Sequence, residues 1–172
     1  MSRRDLLDRS ANVAMIVAAA VFVAAQVRGL IGSGGAAPKA AAAAYAPGDE
    51  APRLDGVEYG KAKRSVLVFV NSECHFCTAS MPFYKSLMAN RKVASTETIV
   101  MAVSRDSPKD LDAYIQQHGV GFDRLISMGR EVNPRMRLTP TVFVVDGAGK
   151  IVKVFVGKLD EAMETELAKI VG

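Results

Sequence analysis

The sequence predicts an α/β fold, with strands alternating with helices and a closing hairpin and last helix. Three stretches carry that expectation. Val66 to Val70 is an unbroken, β-rich apolar run, and a helical pattern follows it closely, with Cys77, Met81, Tyr84, Leu87 and Met88 falling mostly three or four apart. Thr98 to Val103 is a second apolar strand candidate, and a strong helix start follows it. Thr139 to Asp146 reads as a turn and then a strand, and Gly147-Ala148-Gly149 turns the chain into a paired strand over Ile151 to Val156.

Taken in order, the chain opens on a polar stretch, Ser2 to Ser10, that carries Arg3, Arg4 and Arg9. Val13 to Ala25 is then continuously apolar. As a helix it spans roughly 20 Å, short of the roughly 30 Å of a bilayer core. Extension to Ile31 supplies the missing length if Gln26 and Arg28 reach the outer interface. Residues 1–31 therefore read as an uncleaved signal anchor, or as a secretory signal peptide with Val23-Ala24-Ala25 as a small-residue cleavage site. The leading arginines put the N-terminus in the cytoplasm and the rest of the chain outside the membrane. Residues 32–52 are almost entirely Gly, Ala and Pro without apolar periodicity, the composition of a linker. The folded domain is expected over residues 53–172.

Within it, a short strand or turn is expected around Val57 to Tyr59, before the first buried strand. Pro82 falls inside the helix after that strand and should bend it. Ser107-Pro108-x-Asp110 combines a capping Ser, a Pro at the first helical position and an acid, with Leu111, Tyr114 and Ile115 as the buried face and Gly119 as the stop. Asp123 to Met128 is a short third strand, and Glu131 to Arg137 a helical turn broken at Pro134. Leu159, Met163, Leu167 and Ile170 mark a final amphipathic helix.

Chemistry concentrates at Cys74-His75-Phe76-Cys77, set between strand and helix. A thiol at a helix start faces unpaired backbone N–H groups and the positive end of the helix dipole. Both favour the thiolate, which is the reactive form. Cys77 lies one turn in, close enough to attack a disulfide formed at Cys74. A structural zinc site would need four ligands, and the chain has two Cys and two His in all. A purely structural disulfide closing so short a loop would constrain the unfolded chain little. Polar Asn71-Ser72-Glu73 ahead of the motif points to an exposed site. Glu73 should oppose the Cys74 thiolate, and a protonated His75 should favour it.

The net charge of +4 is spread along the chain, without a basic block or a nucleic-acid motif, so no nucleic-acid partner is expected. Two other functions stay open on the residues alone. One is a metal (copper) chaperone using Cys74, Cys77 and perhaps His118. The other is a thiol peroxidase of the peroxiredoxin-like kind, in which Cys74 would react with peroxide.

The order of strand, C-x-x-C helix, strand, helix, and then Thr139-Pro140-Thr141-Val142-Phe143-Val144-Val145-Asp146-Gly147 ahead of a hairpin resembles the thioredoxin superfamily. Within that superfamily it looks most like the membrane-anchored TlpA/ResA-like thiol-disulfide oxidoreductases. The resemblance implies a thioredoxin-like fold, an α/β architecture with a central mixed sheet flanked by helices, here preceded by the N-terminal hydrophobic helix. It implies a cis peptide before Pro140, with Thr139 and Pro140 binding substrate beside catalytic Cys74 and Cys77. It also implies protein thiols and disulfides as substrates, apocytochrome c among them, and a membrane electron donor of the disulfide-reductant type. The location implied is the bacterial inner membrane, single-pass, with the domain in the periplasm, or the periplasm itself after signal cleavage. This chemistry needs no cofactor and no metal. One departure stands out: Glu73 occupies the place before the first Cys where the family often has Trp, and the chain has no Trp.

Overall fold

The computed structural model describes residues 44–91, 97–128, 135–136 and 138–172. Its strands are β1 (Arg64–Phe69), β2 (Thr98–Ser104), β3 (Arg124–Ser127), β4 (Thr141–Asp146) and β5 (Ile151–Val156). Its helices are α1 (His75–Asn90), α2 (Pro108–His118) and α3 (Glu161–Val171). The strands form one sheet in the order β3-β2-β1-β4-β5. β1 pairs parallel with β2, and β2 parallel with β3, whereas β4 runs antiparallel to both β1 and β5. This is the mixed sheet that the resemblance implies.

The topology explains where the helices go. The chain steps from β1 to β2 to β3 in one direction, each time through a helix, and right-handed crossovers then put α1 and α2 on the same face. Residues of α1, α2 and α3 accordingly share one buried cluster with Val66, Val68, Val70, Val100, Ala102, Val142 and Val144 of the sheet. The alternate residues Leu67, Phe69, Met101, Val103, Phe143 and Val145 face the other way and are covered by Ala51, Leu54, Tyr45, Tyr59, Met128 and Met136. Burial on both faces is why β1 reads as a continuous apolar run rather than an alternating one.

The local signals hold at α2. Ser107 accepts the Asp110 N–H, Pro108 is the first helical residue, and Gly119 closes the helix at φ 62. Gly149, at φ 80, completes the hairpin turn, where Asp146 Oδ1 accepts the Ala148 and Lys150 N–H groups. α1 continues through Pro82, which sits on its exposed side and has no N–H to give the Thr78 carbonyl.

The segment around Val57 to Tyr59, expected as a strand or turn, is a turn leading into a 3-10 turn over Tyr59–Lys61. Two expectations change. Leu159 is buried ahead of α3 instead of on it, because Asp160 caps the helix, and Met163 is exposed; Leu167 and Val171 are the fully buried residues of α3. Residues 48–51, linker by composition, pair antiparallel with the start of β5: Gly48 N–H bonds Ile151 O at 2.7 Å and Ile151 N–H bonds Asp49 O at 2.9 Å. The expected N-terminal helix, residues 32–43 of the linker and most of the turn around Pro134 lie outside the described residues. Among the described residues no helix is long and apolar enough to cross a membrane.

Candidate active site

The site is set by strand register. Phe69 at the end of β1 pairs with Thr141 at the start of β4. The segment leaving β1 and the segment entering β4 must therefore lie side by side, although 65 residues separate Cys74 from Thr139. Asn71 stops the strand by turning the backbone back on itself. Its Oδ1 accepts the Glu73 N–H at 2.8 Å and its carbonyl accepts the Cys74 N–H at 3.1 Å.

Cys74 then caps α1. Its backbone is extended, at φ −87 and ψ 111, and its Sγ accepts the Cys77 N–H at 3.3 Å. This is the bond a capping Ser or Asp makes to the third helical residue, made here by sulfur. On the other side the Cys74 thiol donates to the Thr139 carbonyl at 3.3 Å. The Thr139–Pro140 peptide is cis, as the resemblance implies. Bonds from Thr141 Oγ1 to Leu138 O at 2.8 Å and from Gly157 N–H to Pro140 O at 2.8 Å fix this loop.

Both cysteines are free thiols, and their surroundings differ. Cys74 is half-buried, whereas Cys77 is wholly buried against Met81 and Tyr84. For Cys74, partial burial pushes the pKa up, but hydrogen bonds from the Cys77 thiol, from the Thr139 side chain and from the Cys77 and Phe76 backbones together outweigh it, and the net shift is downward. For Cys77, burial and then the neighbouring Cys74 sulfur push the pKa well above the ordinary thiol value. One sulfur is half-exposed with its pKa lowered, and the other is buried beneath it with its pKa raised. Neither Glu73 nor His75, the two groups that composition sets against each other, is among the main influences on Cys74. Glu73 is exposed, and the His75 ring lies edge-on to Phe76.

A cleft of about 370 Å³ opens beside Cys74 and Thr139, lined by Phe69, Val70, Val103, Met128, Met136 and Leu138 together with Asn71, Glu73, Ser104 and Arg105. Phe76 and Leu138, 60% and 62% exposed, flank the thiol with apolar surface. The structure thus brings Cys74, Cys77, Thr139 and Pro140 together. It does not bring in His118, whose ring packs on Tyr114 at the far end of α2. Among the described residues no three His, Cys, Asp or Glu side chains group as a metal site requires, so the chaperone reading lacks its third ligand. Sequence reasoning passed over Asp106, whose Oδ2 accepts the Ser72 N–H at 2.9 Å across 34 residues. No local pattern announces such a bond.

Residues 35–171 match the Redoxin family model. The chain belongs to the Redoxin family. The thiol-disulfide oxidoreductase ResA of Halalkalibacterium halodurans is 26% identical over 114 residues, 64% of this chain and 64% of that protein's own length. A Chlorobium tepidum structure assigned as the thiol:disulfide interchange protein DsbE superposes with a TM-score of 0.59 at 25% identity, over 75% of this chain and all of that one. A peroxiredoxin-like protein from Aquifex aeolicus gives 0.57 at 17% identity, over 77% of this chain and 91% of that one, a likeness of fold alone. The fold of this Redoxin chain is thioredoxin-like.

Proposed function

We propose that this chain is a thiol-disulfide oxidoreductase that reduces protein disulfides outside the cytoplasmic membrane, with Cys74 as the attacking sulfur and Cys77 as the resolving one. The observation that carries the reading is the placement of Cys74 Sγ, half-exposed, 3.3 Å from the Cys77 N–H at a helix start and 3.3 Å from the Thr139 carbonyl. The names of the ResA and DsbE relatives point the same way.

The chemistry follows from the two environments. The Cys74 thiolate attacks one sulfur of a substrate disulfide; a chain–substrate S–S bond forms, and the other substrate sulfur leaves as a thiolate and takes up a proton. Cys77 then gives up its proton and attacks Cys74, and the second substrate sulfur leaves. Two electrons pass to the substrate, and the chain is left with a Cys74–Cys77 disulfide. Burial keeps Cys77 protonated until the mixed disulfide forms beside it, and the substrate disulfide is the electron acceptor that lets the Cys74–Cys77 bond close. Thr139, which lines the cleft just before buried Pro140, is the rim along which an extended substrate segment would lie, its apolar side chains directed to the cleft lined by Met128, Met136 and Leu138.

The reducing direction, a dithiol donor in the membrane, apocytochrome c cysteines as a substrate class, and anchorage through residues 1–31 follow the resemblance to the TlpA/ResA-like group. The test is capture. In cells, a Cys77→Ser chain should accumulate mixed disulfides on Cys74 that a Cys74→Ser, Cys77→Ser chain does not form. Absence of any covalent partner, under conditions where the wild type reduces a protein disulfide such as that of insulin, would overturn the reading.

A further inference from the structure

The three backbone amides leading into the helix are all hydrogen-bonded, and the bonds differ in kind. Glu73 and Cys74 N–H are held by Asn71, inside the same turn. Ser72 N–H is held by the Asp106 carboxylate, from the loop after β2. Of the three, this is the bond that ties the turn to a distant part of the chain.

Asp106 is itself firmly seated. The same oxygen that accepts the Ser72 N–H, Oδ2, accepts the hydroxyl of buried Ser104 at 2.9 Å. Asp106 N–H bonds back to Ser104 Oγ at 3.1 Å, and its carbonyl accepts the Ser127 hydroxyl at 2.7 Å. Asp106 is therefore anchored by its backbone carbonyl to the end of β3 and by its carboxylate to the end of β2, and that carboxylate presents one oxygen to the turn that carries the thiol.

We propose that Asp106 is a positioning residue for Cys74, fixing the Ser72 amide so that the sulfur two residues on stays within reach of the Cys77 N–H and the Thr139 carbonyl. The inference rests on the oxidoreductase reading, since it concerns the reactivity of that thiol. Charge cannot be the reason for an acid here: a carboxylate near the turn opposes formation of a thiolate. Its value lies in the acceptor oxygen. The two roles predict opposite signs. If charge dominated, removing it would make Cys74 more reactive. If position dominates, removing the acceptor makes Cys74 less reactive, and an amide oxygen in the same place restores it.

The experiment measures the second-order rate of iodoacetamide with Cys74 across pH, in the full chain carrying Cys77→Ser, together with thermal melting of each variant. Asp106→Ala should slow alkylation at pH 7 by about tenfold, the effect of one lost hydrogen bond to a charged acceptor, and move the midpoint of its pH profile upward. Asp106→Asn should stay within about twofold of the parent, because one oxygen makes both bonds. Asp106→Glu should fall below Asn, because its oxygen overshoots by about 1.5 Å. Ser104→Ala, which leaves the bond to Ser72, should alter melting more than alkylation. An Asp106→Ala chain as reactive as the parent or more so, a Glu variant that outperforms Asn, or a Ser104→Ala chain slowed as much as Asp106→Ala would overturn the proposal. If Asp106→Ala does not fold, the order of Asn and Glu decides. Insulin reduction by the wild type is scored separately: its failure alongside the expected alkylation order would sink the oxidoreductase reading and leave the clamp standing.

Discussion

Replacing Tyr84 by Phe should make the domain more stable. Tyr84 is wholly buried on the α1 face that also carries Cys77 and Met81, and its hydroxyl has no hydrogen-bond partner among the described residues. Burial, and then electrostatic repulsion from the titratable groups of Cys77, Glu164 and Tyr114 in their ionised forms, push its phenol pKa far above the ordinary value, so the group is a neutral, orphaned hydroxyl at any working pH. Such a group costs about 1–3 kcal/mol in lost solvation. Deleting it recovers most of that and leaves a void of about one oxygen, which takes back a fraction through lost contacts. The net expectation is about 1 kcal/mol of added stability, or about 4 °C in melting temperature for a domain of this size. Urea denaturation of the reduced chain reads it directly: the midpoint should rise while the slope stays fixed, the sign of a change in stability rather than in compactness. Cys74 alkylation serves as the control and should stay within about twofold, since no hydrogen bond joins the phenol to either sulfur. A Phe variant less stable by about 1 kcal/mol or more would refute the reasoning, because it would mean that the hydroxyl is satisfied.

Other outcomes follow from the same geometry. A short iodoacetamide pulse at pH 7 should label Cys74 and spare Cys77, and the half-rise of the Cys74 rate should fall below that of a free thiol, about 8.5; equal labelling of both would contradict the assigned environments. Because the folded-state pKa of Cys77 is raised, its contribution to stability is complete below the unfolded thiol pKa and is lost as pH climbs above it; a reduced chain that weakens above pH of about 8.5 less in Cys77→Ala than in the wild type would show this. Leu167→Ala, at a wholly buried site in α3, should cost about 2–5 kcal/mol by the same urea assay, and a loss under about 1 kcal/mol would mean that α3 is not packed as described.

The parts of this fold that follow local rules are the parts the sequence makes legible. β1 is a two-sided apolar run, α2 carries its own cap, proline and stop glycine, and the β4–β5 hairpin carries its own glycines, so each needs only its own residues to be recognised. The misreadings fall where tertiary packing decides. Met163 has the period of a core residue and is exposed, because Asp160 starts α3 late and leaves Leu167 and Val171 to cover the sheet. Gly48 to Ala51 have linker composition yet pair with the start of β5, since backbone bonding there asks nothing of side chains. The cysteines could be found from their spacing. Asp106 could not, because its bond to Ser72 spans 34 residues and arises only once β1 and β2 lie side by side.

The inequality of the two thiols needs no dedicated charge beside them; it follows from where the C-x-x-C spacing falls on a helix. A capping side chain bonds the N–H of the third helical residue. When Cys74 caps, that residue is Cys77, so the amide that favours the first thiolate belongs to the second cysteine. The same position lies four residues before Met81 and seven before Tyr84, the spacing of the face that packs on the sheet, so the second thiol is buried by the periodicity of the helix. One residue fewer or more would rotate it by about 100° off that face and hand the capping bond to another amide. Two intervening residues are thus where capping geometry and core-facing periodicity coincide. The chain obtains a half-exposed, acidified sulfur over a buried, protonated one with Glu73 before the first cysteine and no Trp anywhere in the sequence.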